Sequence, residues 1–292
     1  MPELPEVENV RRNLEKLVVG KTIESVDVRL GRIIRTPDDV RRFCFELAGK
    51  TITEVNRKGK YLLFSLPPYT LISHLRMEGR YGLARMDDPE LPHTHVVFHF
   101  TDGDELRYRD VRQFGTMDLV ISENEFPAGL RNLGPEPLDE KFLASGLFMT
   151  IHKRTAPIKA LLLNQTCIAG LGNIYVDEAL FSAHIHPERK GCSISESEVT
   201  DLLVAIRDII RRAIDAGGSS IRTYVDGYGR HGGFQMELSV YGRTGQPCVT
   251  CGSAIEKIRV AGRGTHYCPV CQVRDIDLTQ GIKRLSKGGS SD

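Results

Sequence analysis

The sequence has no apolar run long enough to span a bilayer, and its start has no positively charged segment followed by a short apolar one. A transmembrane helix needs about 20 consecutive apolar residues, and a secretory leader needs both of those segments. We therefore expect neither membrane insertion nor secretion, and we expect a cytoplasmic protein. Internal repeats are also absent, so nothing indicates a repeat architecture.

The sequence also lacks an excess of charge of one sign, because its formal net charge is only +1. The charges are nevertheless segregated along the chain. Residues 87–145 contain five basic and thirteen acidic side chains, whereas residues 241–292 contain eight basic and four acidic ones. A basic C-terminal module can mark a surface that binds a polyanion, although an ordinary solvated surface explains it equally well.

The length of 292 residues and the hydrophobic content of 40% allow at least one full core and suggest two or three compact units. Residues 21–121 carry short runs rich in β-branched and aromatic side chains, separated by Gly, Pro and Asp. These runs predict an N-terminal β-sandwich or barrel with strands at 51–55, 61–66, 96–100 and 116–121. The helix-breaking stretch Gly134-Pro135-Glu136-Pro137 predicts a domain boundary.

Helical periodicity follows this boundary, over residues 157–164, 174–182 and 196–215. The last segment begins with Ser195 and Glu198 at capping-box spacing. A Gly-rich loop over 217–234 comes next, and loops of this length are usually functional or disordered. We predict an α+β multidomain chain: a β-sandwich with an N-terminal helix over 1–135, a helical domain over 136–235, a zinc-binding module over 236–274 and a disordered tail over 275–292.

Four of the seven cysteines form two Cys-x2-Cys pairs separated by sixteen residues, Cys248 with Cys251 and Cys268 with Cys271. This spacing is typical of one structural zinc ion, because four thiolates leave the metal no open position for catalysis. A redox role is the alternative, and it is disfavoured because no βαβ pattern surrounds the pairs. The segment between the pairs predicts a β-hairpin with Arg263 near its tip, between two glycines.

The first residues indicate a nucleophile. Removal of Met1, which the small Pro2 permits, leaves a secondary amine as the N-terminus. An α-amino group titrates near about 7.7 to 8.0, against about 10.4 for a Lys side chain, so more of it is neutral at pH 7. Attack by that amine on a sugar C1′ gives an iminium ion, an electron sink that makes the neighbouring C–H acidic. From position alone, an ordinary N-terminal proline is the alternative.

Two predicted helix starts carry candidate site residues. The first helix follows Pro2 directly, with an apolar face at positions 7, 10, 14 and 17, and proline and glutamate suit its first turn. Glu3 is placed to give or take a proton beside the amine, and Glu6 is either a supporting acid or a solvated side chain. The second helix is predicted to begin at Ile174 with Asn173 as its N-cap, where free N–H groups favour a phosphate.

The sequence resembles the bacterial formamidopyrimidine-DNA glycosylase family, which acts in 8-oxoguanine repair, in six ordered blocks. The blocks are MPELPEVE at 1–8, KGKYLL at 58–63, HLRMEG at 74–79, DVRQFG at 110–115, GLGNIYVDEALF at 170–181 and the four-cysteine finger. The resemblance runs from residue 2 to about residue 272, and any single block would be a weak signal. The 20 residues after Gln272 depart from the family pattern, and their role is open.

The resemblance assigns catalytic roles to named residues. It implies that Pro2 displaces the damaged base and forms a Schiff base, with Glu3 as the acid–base partner. Glu6 matches an acid on the same helix, and Lys60 matches an active-site lysine that we expect on a DNA phosphate. The resemblance also implies that Arg263, which belongs to the zinc finger, is a catalytic residue that contacts a DNA phosphate.

The resemblance also assigns contacts to DNA. Extruding a nucleotide leaves a hole in the duplex, which needs an apolar wedge and a donor for the orphaned base. Three residues match the void-filling set, although two of them would otherwise be ascribed to the core: Met77, Arg112 and Phe114. The resemblance assigns contacts with DNA phosphates to Lys159 and Asn173. Lesion recognition falls to a segment of the 217–234 loop and to one further residue: Ser220, Ile221, Arg222, Thr223, Tyr224 and Glu78.

The implied protein is a monomeric base-excision enzyme with a helix-two-turns-helix domain, acting on double-stranded DNA with damaged bases or abasic sites. It removes oxidised purines, then cuts the strand by β- and δ-elimination, and zinc is the only cofactor implied. The related endonuclease VIII type, which prefers oxidised pyrimidines, is one alternative. Its opening typically reads PEGPE, so Leu4 favours the purine enzyme. A non-catalytic zinc-finger DNA-binding protein is the other alternative.

Overall fold

The structure, a computed structural model, describes residues 1–219 and 233–274. The helices in these ranges are α1 (Leu4–Val18), α2 (Val40–Leu47), α3 (Ala128–Arg131), α4 (Ala144–Ile151), α5 (Ile158–Leu163), α6 (Asn173–Ser182) and α7 (Glu196–Asp215). The strands are β1 (Ile23–Val28), β2 (Ile34–Thr36), β3 (Glu54–Lys58), β4 (Tyr61–Leu66), β5 (Tyr69–His74), β6 (Arg80–Arg85), β7 (Thr94–Phe100), β8 (Asp104–Arg109), β9 (Thr116–Val120), β10 (Glu256–Val260) and β11 (Arg263–Tyr267).

Two sheets form the N-terminal domain. One is antiparallel with the order β1-β7-β8-β6, and the other has the order β2-β9-β5-β4-β3, in which β2 and β9 are parallel. Side chains of both sheets share one core, where the rings of Phe64 on β4 and Tyr81 on β6 have centroids 5.7 Å apart. The predicted β-sandwich is therefore confirmed.

Helix α1 connects the sandwich to the helical domain. Its apolar residues from Val7 onward pack into the sandwich core, whereas Leu4 packs into the core formed by α4 to α7. The backbone N–H of Leu4 also donates to the carbonyl of Gly170 at 3.0 Å. The start of the chain is thus held between the two domains, because one end of the amphipathic helix serves each core.

The helical domain and the hairpin follow the predicted pattern. Helices α5, α6 and α7 lie within a residue of the predicted segments, and the N–H of Ser195 donates to Glu198 Oε2 at 2.8 Å in the predicted capping box. The hairpin β10–β11 packs against α6 through a small cluster around Phe181 and Cys268. Within the described ranges, none of the helices combines the length and the apolar character that spanning a bilayer requires.

Two local predictions were wrong. Helix α2 lies inside the stretch predicted as strands, and its signal was the N-cap Asp39, which accepts from the N–H of Arg41 at 2.8 Å. Strand β3 begins at Glu54 because residues 50–52 bond to the turn between α1 and β1 instead of to β4. The domain limits at 135, 235 and 274 stay predictions, and the predicted tail at 275–292 lies outside the described residues.

We predict that Gly170→Ala destabilises the protein by about 1–3 kcal/mol more than Gly49→Ala. Both glycines have positive φ, +84° and +75°, so both substitutions strain the backbone. A Cβ at position 170 would lie 2.7 Å from the Cβ of Leu4, whereas one at position 49 has open space. Urea unfolding of the two variants measures the difference, and equal midpoints would contradict the close packing of Leu4.

Candidate functional site

A cleft of about 1090 Å³ lies between the sandwich, the helical domain and the hairpin. Most residues predicted for catalysis or DNA contact line this cleft: Pro2, Glu3, Glu6, Lys60, Met77, Glu78, Arg112, Asn173 and Arg263. Phe114 and Lys159 do not line it. The fold thus gathers residues that are up to 261 positions apart in the sequence around the chain's first residues.

Glu3 is enclosed beside Pro2, with only 4% of its surface exposed. Its Oε1 accepts from the backbone N–H of Ile174 at 3.1 Å, and its Oε2 accepts from that of Tyr175 at 3.5 Å. Burial raises the pKa of Glu3 to about 7 against the opposing positive charge of Lys60. A carboxyl group that titrates near neutrality can both donate and accept a proton during a reaction.

The helix N-terminus predicted to bind phosphate binds the Glu3 carboxylate instead. Helix α6 begins at Asn173 and its N-cap is Gly172, so the prediction of Asn173 as the N-cap was wrong. A Cβ at Gly172 would lie 2.2 Å from Cδ of Glu3, so only glycine leaves room for the carboxylate. Asn173 Nδ2 donates to the carbonyl of Gly264 at 2.9 Å. A phosphate contact by Asn173 stays a prediction.

Glu6 ties three segments together and is not a solvated first-turn side chain, since it is 3% exposed. Its Oε2 accepts from the N–H of Glu3 at 2.9 Å, and its Oε1 accepts from the hydroxyl of Tyr175 at 2.6 Å. The N–H of Ser219 also donates to Oε1, at 2.7 Å, where the predicted 217–234 loop begins. The predicted lesion-recognition residues of that loop lie outside the described residues: Ser220, Ile221, Arg222, Thr223 and Tyr224.

Lys60 lies in the turn that leads into β4 and is 6% exposed. Its Nζ donates to the carbonyl of Leu171 at 2.8 Å, two residues before α6 begins. Burial lowers the pKa of Lys60, while the nearby carboxylates of Glu3 and Glu6 oppose that shift. Lys60 and Glu3 therefore form a coupled acid–base pair on the floor of the cleft. The expected contact with a DNA phosphate stays a prediction.

Lys159 is enclosed where α6 meets the hairpin. Its side chain has no exposed surface, and its Nζ donates to Asp177 Oδ1 at 2.6 Å and to the carbonyl of Gly264 at 3.2 Å. Asp177 Oδ2 in turn accepts from the backbone N–H of His266 at 2.9 Å. In this structure Lys159 connects the hairpin to α6, because its enclosed ammonium binds Asp177 of α6 and the Gly264 carbonyl of β11. A phosphate contact by Lys159 stays a prediction.

Arg263 is the first residue of β11, opposite Val260, and its side chain is exposed at the cleft. The predicted hairpin is confirmed, with the turn at Ala261 and Gly262. The contacts of Lys159 with the Gly264 carbonyl and of Asp177 with the His266 N–H hold the strand that carries Arg263 against α6. The catalytic role of Arg263 stays a prediction.

The loop after β8 presents two of the predicted void-filling residues. Phe114 is 52% exposed and is not a core residue, and the guanidinium carbon of Arg112 lies 5.0 Å from its ring centroid. Sequence reasoning missed Asp110, whose buried carboxylate accepts from the N–H of Arg112 at 3.1 Å and that of Phe114 at 2.9 Å. Asp at the start of a turn was the available signal. Met77 and Glu78 are half-buried in the loop after β5, which lies beside the 110–115 loop because His74 pairs with Thr116.

Other cleft residues were also missed by the sequence reasoning, namely His74, Tyr241 and Lys257. His74 Nδ1 accepts from the backbone N–H of Arg76 at 3.0 Å, which leaves Nε2 as the protonated nitrogen. Burial lowers the pKa of His74 to about 3, with help from the charges of Arg76 and Lys60. His74 is therefore a neutral donor near neutral pH, and only its place in the block at 74–79 singled it out in the sequence.

The four paired cysteines converge on one site at the base of the hairpin. All four sulfurs lie within 4.8 Å of one another, with 3.4 Å between Cys251 and Cys268 and 3.9 Å between Cys248 and Cys271. Four sulfurs around a tetrahedral zinc ion at about 2.3 Å are about 3.8 Å apart, so the site fits zinc. Hydrogen bonding from Ser253 lowers the pKa of Cys251 to about 6, which favours the thiolate that binds metal.

Three family descriptions match the chain in order. They are the formamidopyrimidine-DNA glycosylase N-terminal domain at residues 1–117, the formamidopyrimidine-DNA glycosylase H2TH domain at 133–225 and the zinc finger found in FPG and IleRS at 245–273. The chain belongs to the formamidopyrimidine-DNA glycosylase family. The zinc finger of this family is the four-cysteine site described above.

Similar proteins of the family cover nearly the whole chain. The formamidopyrimidine-DNA glycosylases of Brevibacillus brevis and Shouchella clausii are 55% and 56% identical over 93% and 94% of this chain, and over 99% and 100% of their own lengths. A solved Lactococcus lactis Fpg in complex with abasic-site DNA has a TM-score of 0.87 and 48% identity, over 93% of this chain and 99% of that one. A complex of the Lactococcus lactis protein with Fapy-dG DNA has a TM-score of 0.86 and 47% identity, over 93% of this chain and 100% of that one.

We predict that Glu3→Gln changes the pH dependence of stability. Folding raises the Glu3 pKa from 4.5 to about 7, so the stabilisation is complete below pH 4.5 and is lost as the pH rises through 7. Relative to wild type, the Gln variant should therefore gain about 3 kcal/mol of unfolding free energy between about pH 4 and pH 8. Urea unfolding measures the gain, with the exposed Glu15→Gln on the same helix as the control. Parallel curves for wild type and Glu3→Gln would refute the shift.

We predict that Cys251→Ser lowers the zinc content and releases the hairpin from α6. The backbone N–H of His266, which Asp177 protects, should then exchange with solvent faster, while amides of the sandwich core keep their protection. The exposed Cys192 lies outside the cluster, so Cys192→Ser is the matched control and should retain one zinc ion per chain. Metal analysis and hydrogen exchange test this, and full zinc content in Cys251→Ser would argue against four-thiolate ligation.

Proposed function

We propose that this chain is a DNA glycosylase of base-excision repair that removes oxidised purines, 8-oxoguanine and formamidopyrimidines, from duplex DNA and then cuts the abasic site as a lyase. One observation carries the proposal: a buried carboxyl of Glu3 with a pKa near 7 lies beside Pro2, in a cleft that Lys60 and Arg263 also line. The solved relatives from Lactococcus lactis hold abasic-site and Fapy-dG DNA, which supports this substrate class.

The first half of the reaction exchanges the base for the protein. The amine of Pro2, freed by removal of Met1, forms a bond to C1′ while the C1′–base bond breaks and the base leaves with that electron pair. The nitrogen then gives up its N–H proton, which balances the proton that the departing base takes up, and so regains a lone pair. Glu3 in its acid form then protonates O4′ and opens the sugar ring. The nitrogen lone pair completes a C=N bond, and the iminium ion has a permanent positive charge because proline is a secondary amine.

The second half of the reaction removes the sugar. The iminium acidifies C2′–H, and Glu3, now a carboxylate, takes that proton as the 3′ phosphate leaves in β-elimination. A second elimination along the conjugated chain expels the 5′ phosphate. A Glu3 pKa near neutrality suits both steps, because one group must be acid and then base. We infer that Lys60 and Arg263, which line the same cleft, stabilise the departing phosphates with their positive charges.

The surface at and beside the cleft supports the proposal that the protein extrudes a nucleotide from the duplex. Arg112 and Phe114 form an exposed cation–aromatic pair on a loop held by Asp110, which suits contact with the orphaned base and the gap in the stack. Met77 completes the predicted void-filling set from the neighbouring loop after β5. We infer action on the DNA of a bacterial cytoplasm, since the relatives named above are bacterial, and we expect a monomer.

We predict that borohydride traps a covalent adduct between this protein and abasic duplex DNA. Pro2→Gly, and a chain with an uncleavable residue before Pro2, should lose the adduct, because the secondary amine is then absent or blocked. Lys60→Ala should reduce it much less, and Glu3→Gln should slow cleavage by roughly 100-fold or more. Intact mass establishes the N-terminus of each sample. A full yield of adduct from the blocked chain would remove Pro2 as the nucleophile.

The choice of lesion separates the proposal from its nearest rival. Duplexes with 8-oxoguanine and with thymine glycol, identical in all other positions, are compared under single-turnover conditions. We expect faster excision of 8-oxoguanine, and a preference for thymine glycol would assign the endonuclease VIII type of activity instead. A chain that binds both duplexes but gives no adduct with either would be a non-catalytic DNA-binding protein.

A further inference from the structure

The segment between the two domains reaches back to the turn that holds Lys60. Glu136, which the sequence marks only as part of a helix-breaking boundary, accepts from the backbone N–H of Gly59 at 2.5 Å. The same oxygen, Oε1, accepts from Nη1 of Arg57 at 3.0 Å. A linker side chain thus contacts the β3–β4 turn across 77 residues of sequence.

Arg57 binds the same turn and also connects it to α1. Its Nη1 donates to the carbonyl of Gly59 at 2.9 Å, and its Nε donates to Glu8 Oε2 on α1 at 3.0 Å. The exposed fractions of the three side chains are small, 11% for Arg57, 13% for Glu8 and 24% for Glu136. Burial opposes ionisation of Glu8, yet the hydrogen bond and charge of Arg57 hold the pKa of Glu8 below its usual value. Both peptide groups of Gly59 are therefore fixed by a partly buried ionic cluster.

The conformation of Gly59 is one that other residues rarely adopt, so this turn requires glycine. Its φ is +57°, and a Cβ there would lie 2.9 Å from a methyl group of Leu133. The next residue is Lys60, so the conformation of this turn decides where the lysine side chain begins. The hydrogen bonds of Glu136 and Arg57 to the peptide groups of Gly59 add to the pairing of Lys58 with Tyr61 in fixing this position.

The linker also holds the far end of Lys60. The carbonyl of Leu171, which accepts from Lys60 Nζ, also accepts from Gln165 Nε2 at 2.8 Å. The linker holds Gln165 in place, because the backbone carbonyl of Gln165 accepts from the N–H of Gly134 at 2.8 Å. The linker segment 134–136 therefore acts on both the backbone and the ammonium end of one lysine.

We propose that Glu136 and Arg57 are positioning residues, which together set the distance of the Lys60 ammonium from Glu3 and so tune the proton transfers in the cleft. Neither is a catalytic residue, since neither lines the cleft. The titratable and charged groups that face Lys60 are Glu3, Glu6, His74 and Arg263. This inference deepens the proposed function and rests on it.

The test compares Glu136→Ala with Glu136→Gln in the full-length zinc-bound protein. The alanine variant should slow single-turnover cleavage of abasic duplex DNA by about 10- to 100-fold, because a displacement of the Lys60 ammonium by about 1 Å has an effect of this size. The glutamine variant should stay near the wild-type rate, because its amide oxygen still accepts from Gly59. Glu15→Ala removes an exposed ion pair with Arg11 on the same helix as Glu8, and should leave the rate unchanged.

The pH profile separates positioning from general scaffolding. Lys60 opposes the rise of the Glu3 pKa, so displacing its ammonium should move the alkaline limb of the cleavage profile to higher pH. Glu136→Ala and Lys60→Ala should then shift that limb in the same direction, and Glu136→Ala should change the dissociation constant for DNA only a little. Wild-type cleavage by Glu136→Ala would overturn the inference, and so would slow cleavage with an unshifted profile.

A second variant keeps the test decisive if Glu136→Ala fails to fold. Arg57→Lys keeps the positive charge but lacks the planar fork that binds Glu8, Gly59 and Glu136 together. It should reproduce the slower cleavage and the shifted limb, and a wild-type profile would overturn the inference. Failure of the proposed function itself is seen separately, because wild type and Glu15→Ala would then form no borohydride adduct.

Discussion

The structure depends on the burial of the Glu3 carboxylate at the N-terminus of α6. Two backbone N–H groups and the positive end of the helix dipole compensate part of the desolvation cost, and Lys60 compensates more. The compensation is incomplete, so the pKa stays near 7. Because the carboxylate form of Glu3 is incompletely stabilised, the group can gain and lose a proton near neutral pH.

That burial imposes constraints on the surrounding chain. The first residues must enter between two domains, so Gly170 and Gly172 leave room for Leu4 and Glu3. Helix α6 must itself be held in place, and the buried pair of Lys159 and Asp177 connects it to the hairpin. One short helix thus orients the carboxyl group, the lysine and the zinc-supported arginine relative to one another.

Much of the fold could be predicted because its signals are local. Helix α7 follows from its capping box and period, and the zinc site follows from its cysteine spacing. Helix α2 was missed because strand-like neighbours outweighed the N-cap signal of Asp39. The phosphate site at α6 was misassigned because the sequence cannot show which anion occupies a helix N-terminus, and here an internal carboxylate does.

From the sequence alone, the spacing of the cysteines determined the four metal ligands, and the ordered blocks shared with a known family predicted the order of domains and the grouping of Pro2, Glu3 and Lys60 in one candidate site. Only the tertiary structure decided the protonation behaviour of Glu3, the enclosure of Lys159 and the hold of Glu136 on the lysine turn. The physical reason is that desolvation and charge coupling depend on distances between residues far apart in the chain, which no local pattern encodes.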